Sequence, residues 1–179
     1  MKKTGTLTLG AMFVSVMLVL GFIESLITLG PVPGIKLGLS NSVLLLSLYW
    51  LGIPVSLVLM VAKVLLSGLL FGNPLTIQYS LAGGALSMVG MIAVIYLVKG
   101  AGPVGAGIVG GVLHNVGQVL VAMFILQTAG LLYYMAVLVL VGAVMGGITG
   151  SVALSLKRFL PYERRARFGF TRRDKKSGA

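Results

Sequence analysis

The chain has 179 residues, of which 58% are hydrophobic and only 9% are charged, with a formal net charge of +11. Soluble domains carry roughly 25% charged residues, so this composition excludes a soluble domain and indicates a membrane protein. Nine of the fourteen basic residues lie from Lys157 onward, directly after the last apolar segment, which indicates a juxtamembrane tail rather than a nucleic-acid-binding surface. Cysteine is absent, which excludes disulfide, iron–sulfur and thiolate chemistry.

Apolar segments separated by Gly, Pro or charged residues predict an all-α, polytopic membrane protein with six transmembrane helices. In chain order the predicted spans cover about residues 7–29, 37–51, 53–71, 75–98, 103–127 and 131–156. We expect residues 1–156 to form one transmembrane domain and residues 157–179 to form a basic cytoplasmic tail. The first span is interpreted as a retained helix, because no small-residue cleavage site follows it and Glu24 lies within its far end.

The second predicted span is short. Its roughly 15 residues reach only about 22 Å, whereas the hydrocarbon core of a bilayer is about 30 Å thick. Gly52 and Pro54 leave a second interpretation open, in which residues 37–71 form one longer, broken helix.

The distribution of basic residues predicts the orientation of the spans. Lys2 and Lys3 precede the first span and the basic tail follows the last, and both groups are expected on the cytoplasmic side of the cell membrane. Two cytoplasmic termini require an even number of crossings, which favours six spans. The tail is interleaved with aromatic residues, and it is predicted either to attach to anionic membrane lipid or to act only as a topology signal.

Few polar side chains remain within the predicted spans, and nearly all of them fall in the middle or outer half of the membrane. Such one-sided polarity predicts a solute pocket that opens outward. Lys36 lies in the first outside loop, and His114 and Gln118 share one helix face because they are four residues apart. The candidate substrate-binding residues are Glu24, Lys36, Asn41, Lys63, Gln78, His114, Asn115 and Gln118.

Several of these candidates also have a purely structural explanation. Glu24 and Lys63 would form a buried ion pair, and Lys36 would extend to the lipid headgroups. His114 and Asn115 would form hydrogen bonds between helices. The sequence leaves both interpretations open.

Small residues recur at four-residue spacing on several spans, which is typical of helices that pack closely in a membrane. These runs are Gly142, Gly146 and Gly150; Gly107 and Gly111; Gly102, Ala106 and Gly110; and Gly83 and Ser87. We expect them to pack within the chain. Ala11 and Ser15, near the cytoplasmic end of the first span, are candidates for docking a partner subunit instead.

Enzymatic activity has little support in the sequence. The glycine-rich segments lack the Gly-Lys-Ser/Thr ending of a nucleotide-binding loop. One histidine and three acidic residues are too few for a usual metal site, so we expect no metal and no cofactor. The sequence shows no local pairing of a nucleophile with a base.

Residues 34–41 read Gly-Ile-Lys-Leu-Gly-Leu-Ser-Asn. Together with Glu24 before them and His114-Asn115 after them, they resemble the family labelled heptaprenyl diphosphate synthase component I, also called Gx transporter proteins. The resemblance covers roughly residues 7 to 156. That family is similar to the substrate-binding S-components of energy-coupling factor (ECF) transporters, which implies six helices, an outward pocket and small residues on helix one for docking.

The enzymatic part of the family label does not fit these residues. Prenyl diphosphate synthases hold Mg²⁺-diphosphate with aspartate-rich motifs, because hard cations need several carboxylate oxygens. The only aspartate of this chain is Asp174, in the tail. We therefore expect the chain not to be a catalytic subunit.

Three functions follow from these observations. The first is capture of a small vitamin-like or isoprenoid-related solute, with an ECF-type transmembrane coupling subunit and ATPases as partners. The second is a noncatalytic membrane subunit associated with polyprenyl diphosphate or menaquinone synthesis. The third is an ion-coupled secondary carrier that uses Glu24, Lys63 and His114 as a relay.

Overall fold

The computed structural model describes residues 3–26, 38–98 and 100–156, so Lys36, Lys99 and the basic tail lie outside the described residues. The described residues form six helices, which confirms the all-α prediction. They are α1 (Lys3–Leu26), α2 (Ser40–Trp50), α3 (Ile53–Phe71), α4 (Pro74–Leu97), α5 (Pro103–Leu126) and α6 (Leu131–Leu156). Within these ranges, five helices are long and apolar enough to cross a membrane, and α2 is the exception. Six separate spans are therefore not confirmed.

Helix α2 is a short internal helix. Its 11 residues extend about 16 Å, roughly half of a hydrocarbon core. It ends at the Leu51–Gly52 turn, where Gly52 has a φ of 86° that favours glycine. Eight of its 11 residues are buried, which means that the other helices surround it.

Helices α2 and α3 pack side by side in opposite directions. The Ser47 hydroxyl donates to the Ser56 hydroxyl at 2.7 Å, and the Lys63 ammonium donates to the Asn41 side-chain oxygen at 3.0 Å. A single kinked helix would hold residues 41 and 63 about 30 Å apart. The interpretation of one broken helix over residues 37–71 is therefore wrong.

Helix α1 packs against α2 as well as against α3. The Glu24 carboxylate accepts a hydrogen bond from Ser40 at the start of α2, and the Phe13 ring stacks on the Trp50 ring at its end, with 5.4 Å between ring centroids. Helix α2 thus begins beside the last turn of α1 and ends beside the middle of α1.

Glycine allows α5 and α6 to pack backbone against backbone. A Cβ atom added to Gly107 would lie 2.2 Å from the Gly146 carbonyl oxygen, and one added to Gly111 would lie 2.2 Å from that of Gly142. A Cβ atom added to Gly150 would lie 2.5 Å from the Val104 Cα atom. These contacts agree with the expectation that the Gly107–Gly111 run of α5 and the Gly142–Gly146–Gly150 run of α6 pack within the chain.

The directions of the helices place the first residue of α1 and the last residue of α6 at the same end of the bundle. Helices α1 and α3 run parallel, since Gly10 faces Leu59 and Gly21 faces Ser67. Each helix from α3 to α6 is antiparallel to the one before it along the chain, as the facing pair Gly68 and Ile77 illustrates for α3 and α4.

Candidate functional site

A carboxylate from α1 holds the start of α2. Glu24 is only 2% exposed, and its two oxygens accept hydrogen bonds from the Leu39 backbone N–H and, at 3.0 Å, from the Ser40 hydroxyl. The first N–H groups of a helix have no partner within the helix, and a negative charge beside them is favourable. Glu24 therefore caps α2 from a neighbouring helix.

A buried lysine from α3 binds Asn41, the second residue of α2. Lys63 is 5% exposed, and its ammonium donates to the Asn41 side-chain oxygen. Glu24, which accepts from Leu39 and Ser40, and Lys63, which donates to Asn41, thus bind three consecutive residues at the start of α2. Their opposite charges lie around one helix start, and this arrangement reduces the cost of burying each charge.

The single histidine lies between the start of α2 and helix α4. His114 is 2% exposed, and a Cβ atom added to Gly38 would lie 3.1 Å from its ring, whereas one added to Gly83 would lie 2.8 Å from its Nδ1 atom. Gln118, one turn later, is fully buried and also faces Gly83. Glycine at position 83 leaves room for the imidazole, and Gly38, whose φ of 84° favours glycine, lies close to the ring.

Asn115 points to a different neighbour. Its side-chain amide donates to the Leu138 carbonyl oxygen of α6 at 2.6 Å. The residue is fully buried, and this hydrogen bond joins α5 to α6 in the region where their backbones are close. The structural explanation, hydrogen bonding between helices, therefore describes Asn115 in this structure.

Gln78 lies apart from the other candidates. Its side chain is exposed in the second turn of α4, whereas the adjacent Tyr79 is 1% exposed and packs against Val119 and Leu138. Successive helix residues differ by about 100° in direction, so Gln78 faces outward when Tyr79 faces the bundle interior.

A small cavity of about 10 Å³ lies beside the start of α2. Its wall is made by residues of four helices and the turn before α2: Gly38, Asn41, Ser42, Leu45, Ser87, Met91, Gly107, Gly110, Gly111, Met145, Gly146 and Thr149. Among the described residues, neither the Asn41 side-chain nitrogen nor the Ser87 hydroxyl has a hydrogen-bond partner. Sequence reasoning identified Asn41 but assigned Ser87 only to helix packing.

The two docking candidates lie on a wide external groove between α1 and α3. This groove measures about 720 Å³, and its lining residues are Thr6, Leu7, Gly10, Ala11, Val14, Ser15, Val55, Val58 and Leu59. Ala11 and Ser15 are exposed, and the Ser15 hydroxyl donates to the Ala11 carbonyl oxygen at 3.0 Å. The hydroxyl is thus satisfied within its own helix, which leaves a smooth, mainly apolar surface.

The described part of the chain contains no group of three or more His, Cys, Asp or Glu residues that could hold a metal ion. What the interior provides is a set of hydrogen-bonding groups from α1 to α5 around the start of α2. Such a set suits the recognition of polar groups on a small molecule.

A comparison with known protein families finds a match to the family described as heptaprenyl diphosphate synthase component I, over residues 13–156. No curated protein and no solved structure matches the chain.

Proposed function

The chain belongs to the heptaprenyl diphosphate synthase component I family, and we propose that it is a substrate-binding, S-component-like membrane subunit. In this proposal it captures a small solute from outside the cell and works with an ECF-type coupling subunit and ATPases. The five long apolar helices support a membrane location. The cell membrane and two cytoplasmic termini are part of the proposal and rest on the basic residues at both ends of the sequence.

The observation that carries this proposal is the buried polar set around the start of α2. Charged and amide side chains inside a membrane protein are costly and are usually retained for function. Here Glu24, Lys63, Asn41 and His114 come from four different helices and meet within the bundle. A set assembled from several helices suits a solute site better than it suits the packing of one helix pair.

The chemistry of this set favours a solute with both polar and apolar parts. The charge of Lys63 and the imidazole of His114 lie within the set, and the sequence places Lys36 just before it, so these basic groups favour an anionic or polar group nearby. Leu45, Met91 and Met145 supply apolar walls. Vitamin-like or isoprenoid-related compounds combine these two characters.

The groove between α1 and α3 supports a partner within the membrane. Lipid tails are as apolar as helix surfaces, so helices in a membrane associate through close packing, and small side chains allow that close approach. The sequence contains no nucleotide-binding loop of its own, so coupling to ATP would have to come from other subunits. We therefore assign the face of Ala11 and Ser15 to a helix of the coupling subunit.

Co-purification of the tagged chain from its native membrane tests the proposal. We expect recovery of a transmembrane coupling subunit and ATPases, and we expect Ala11→Leu with Ser15→Leu to abolish that recovery. Val19→Leu is the matched control, because Val19 is 60% exposed on the same helix but does not line the groove. Recovery of a soluble prenyl synthase alone would contradict the proposal.

Recovery of a soluble prenyl synthase alone would indicate a second candidate function, which the family description favours. The words "component I" denote one part of a synthase and imply a partner component. In this alternative the chain is a noncatalytic membrane subunit that assists polyprenyl diphosphate or menaquinone synthesis. Dependence of the synthase's activity on this chain, without uptake of any solute, would support it.

A further inference from the structure

The small cavity beside α2 is lined by two hydrogen-bonding groups that belong to different helices. The Asn41 side chain is 5% exposed and the Ser87 side chain is fully buried. Neither the Asn41 nitrogen nor the Ser87 oxygen has a partner among the residues that the structure describes. An unsatisfied buried polar group costs about 1–3 kcal/mol, so two such groups on one cavity indicate that something occupies it.

Lys63 determines which end of the Asn41 amide faces this cavity. An ammonium group has three donors and no acceptor, so only the amide oxygen of Asn41 can face it. The oxygen lies 3.0 Å from the Lys63 nitrogen, and the amide NH₂ is consequently directed away from Lys63. Asn41 lines the cavity and Lys63 does not. The orientation of the amide thus follows from hydrogen-bond chemistry.

The size and the walls of the cavity limit what fits. About 10 Å³ is close to the space that one water molecule requires. A Cβ atom added to Gly38 would lie 3.4 Å from the Asn41 nitrogen, and one added to Gly110 would lie 3.3 Å from the Ser87 oxygen. Glycine at these two positions leaves the donors accessible.

We propose that Asn41 and Ser87 form a binding site for a single hydrogen-bond-accepting oxygen, and that Lys63 is a positioning residue that acts through Asn41. Water occupies the site in the solute-free protein. A carbonyl or carboxylate oxygen of the solute replaces this water, and this second step rests on the proposed transport function. Lys63, in this account, does not itself contact the solute at the cavity.

Nuclear magnetic resonance of the full chain in lipid nanodiscs tests the site without any knowledge of the solute. The sequence contains only three asparagines, Asn41, Asn73 and Asn115, so selective ¹⁵N-asparagine labelling yields three side-chain NH₂ pairs. Single Asn→Gln replacements assign them. We expect the Asn41 NH₂ protons to show a cross-peak to a long-lived bound water.

Three variants separate positioning from general structure. Lys63→Met removes the donor that orients the amide, so the water cross-peak is expected to disappear and the Asn41 signals to shift. Lys63→Arg retains a donor-only group, so we expect the water cross-peak to remain and the Asn41 signals to keep their positions. Ser87→Ala is expected to weaken the cross-peak. Ser67→Ala is the matched control, because Ser67 is buried but its hydroxyl donates to Val64 of its own helix.

The absence of a water cross-peak at Asn41 in the unmodified protein would overturn the proposal, and so would its full persistence in both Lys63→Met and Ser87→Ala.

Geranylacetone, geraniol and geranic acid then serve as probes of the solute contact, since they carry a carbonyl, a hydroxyl and a carboxylate on similar isoprenoid bodies. Displacement of the water by any of these probes, each of which carries an accepting oxygen, supports the solute contact. Retention of the water with all three probes would show that the site binds water only, and the co-purification experiment would then decide the proposed function.

Discussion

At the scale of single residues, the start of α2 depends on a carboxylate from another helix. Sequence neighbours do not provide this cap, because Leu39 precedes α2 and makes no side-chain hydrogen bond to it. Glu24 accepts from Leu39 and Ser40 across a separation of 15 to 16 residues. The acid thus connects the end of α1 to the beginning of the internal helix.

Replacement of Glu24 tests this role. Glu24→Ala leaves two donors without a partner, each costing about 1–3 kcal/mol, and it leaves the Lys63 charge without a nearby opposite charge. Glu24→Gln keeps one oxygen for the Leu39 N–H and is expected to cost less. Thermal unfolding of the purified protein measures the difference, and equal unfolding temperatures for the two variants would contradict the capping role.

At the scale of helices, the α5–α6 pair depends on two glycine faces in register. Gly146→Ala places a methyl group 2.2 Å from the Gly107 carbonyl oxygen, and overpacking of this kind costs about 1–3 kcal/mol or more. Gly147→Ala is the matched control, because its nearest contact is Ile108 at 3.7 Å. We expect a lower unfolding temperature for the first variant only. Equal effects of the two would show that α5 and α6 are not packed as described.

Features that depend on residues within one helix could be predicted from the sequence, whereas contacts between helices distant in sequence could not. The Asn73 side-chain oxygen caps α4 by accepting from the Thr76 N–H at 2.9 Å, and Asn followed by Pro is a local signal for a helix start that the sequence displays. The glycine spacing predicted close packing on α5 and α6, because it depends only on residues within each helix. The sequence could not predict that Ser87 lines the same cavity as Asn41, because this depends on the register between α2 and α4, which are not neighbours in sequence.

At the scale of the whole molecule, the orientation in the membrane is open to direct test. The natural sequence contains no cysteine, so single cysteines can be introduced without removing any. Asn73→Cys and Thr128→Cys lie at the end opposite to Ala101→Cys. We expect an impermeant thiol reagent added outside intact cells to label the first two, and to label Ala101→Cys only after permeabilisation. The reverse pattern would contradict two cytoplasmic termini.

The central claim is that the interior around α2 binds a solute, and ligand-induced stabilisation tests it most directly. The purified chain is heated with vitamin-like and isoprenoid-related compounds, and with Asn41→Ala and Thr128→Ala variants in parallel. A true ligand at a hundredfold excess over its Kd stabilises the protein by about 2.7 kcal/mol. The account predicts that at least one compound raises the unfolding temperature of the unmodified chain and of Thr128→Ala, and that this rise is lost in Asn41→Ala. No rise with any compound, or an equal rise in all three proteins, would contradict it.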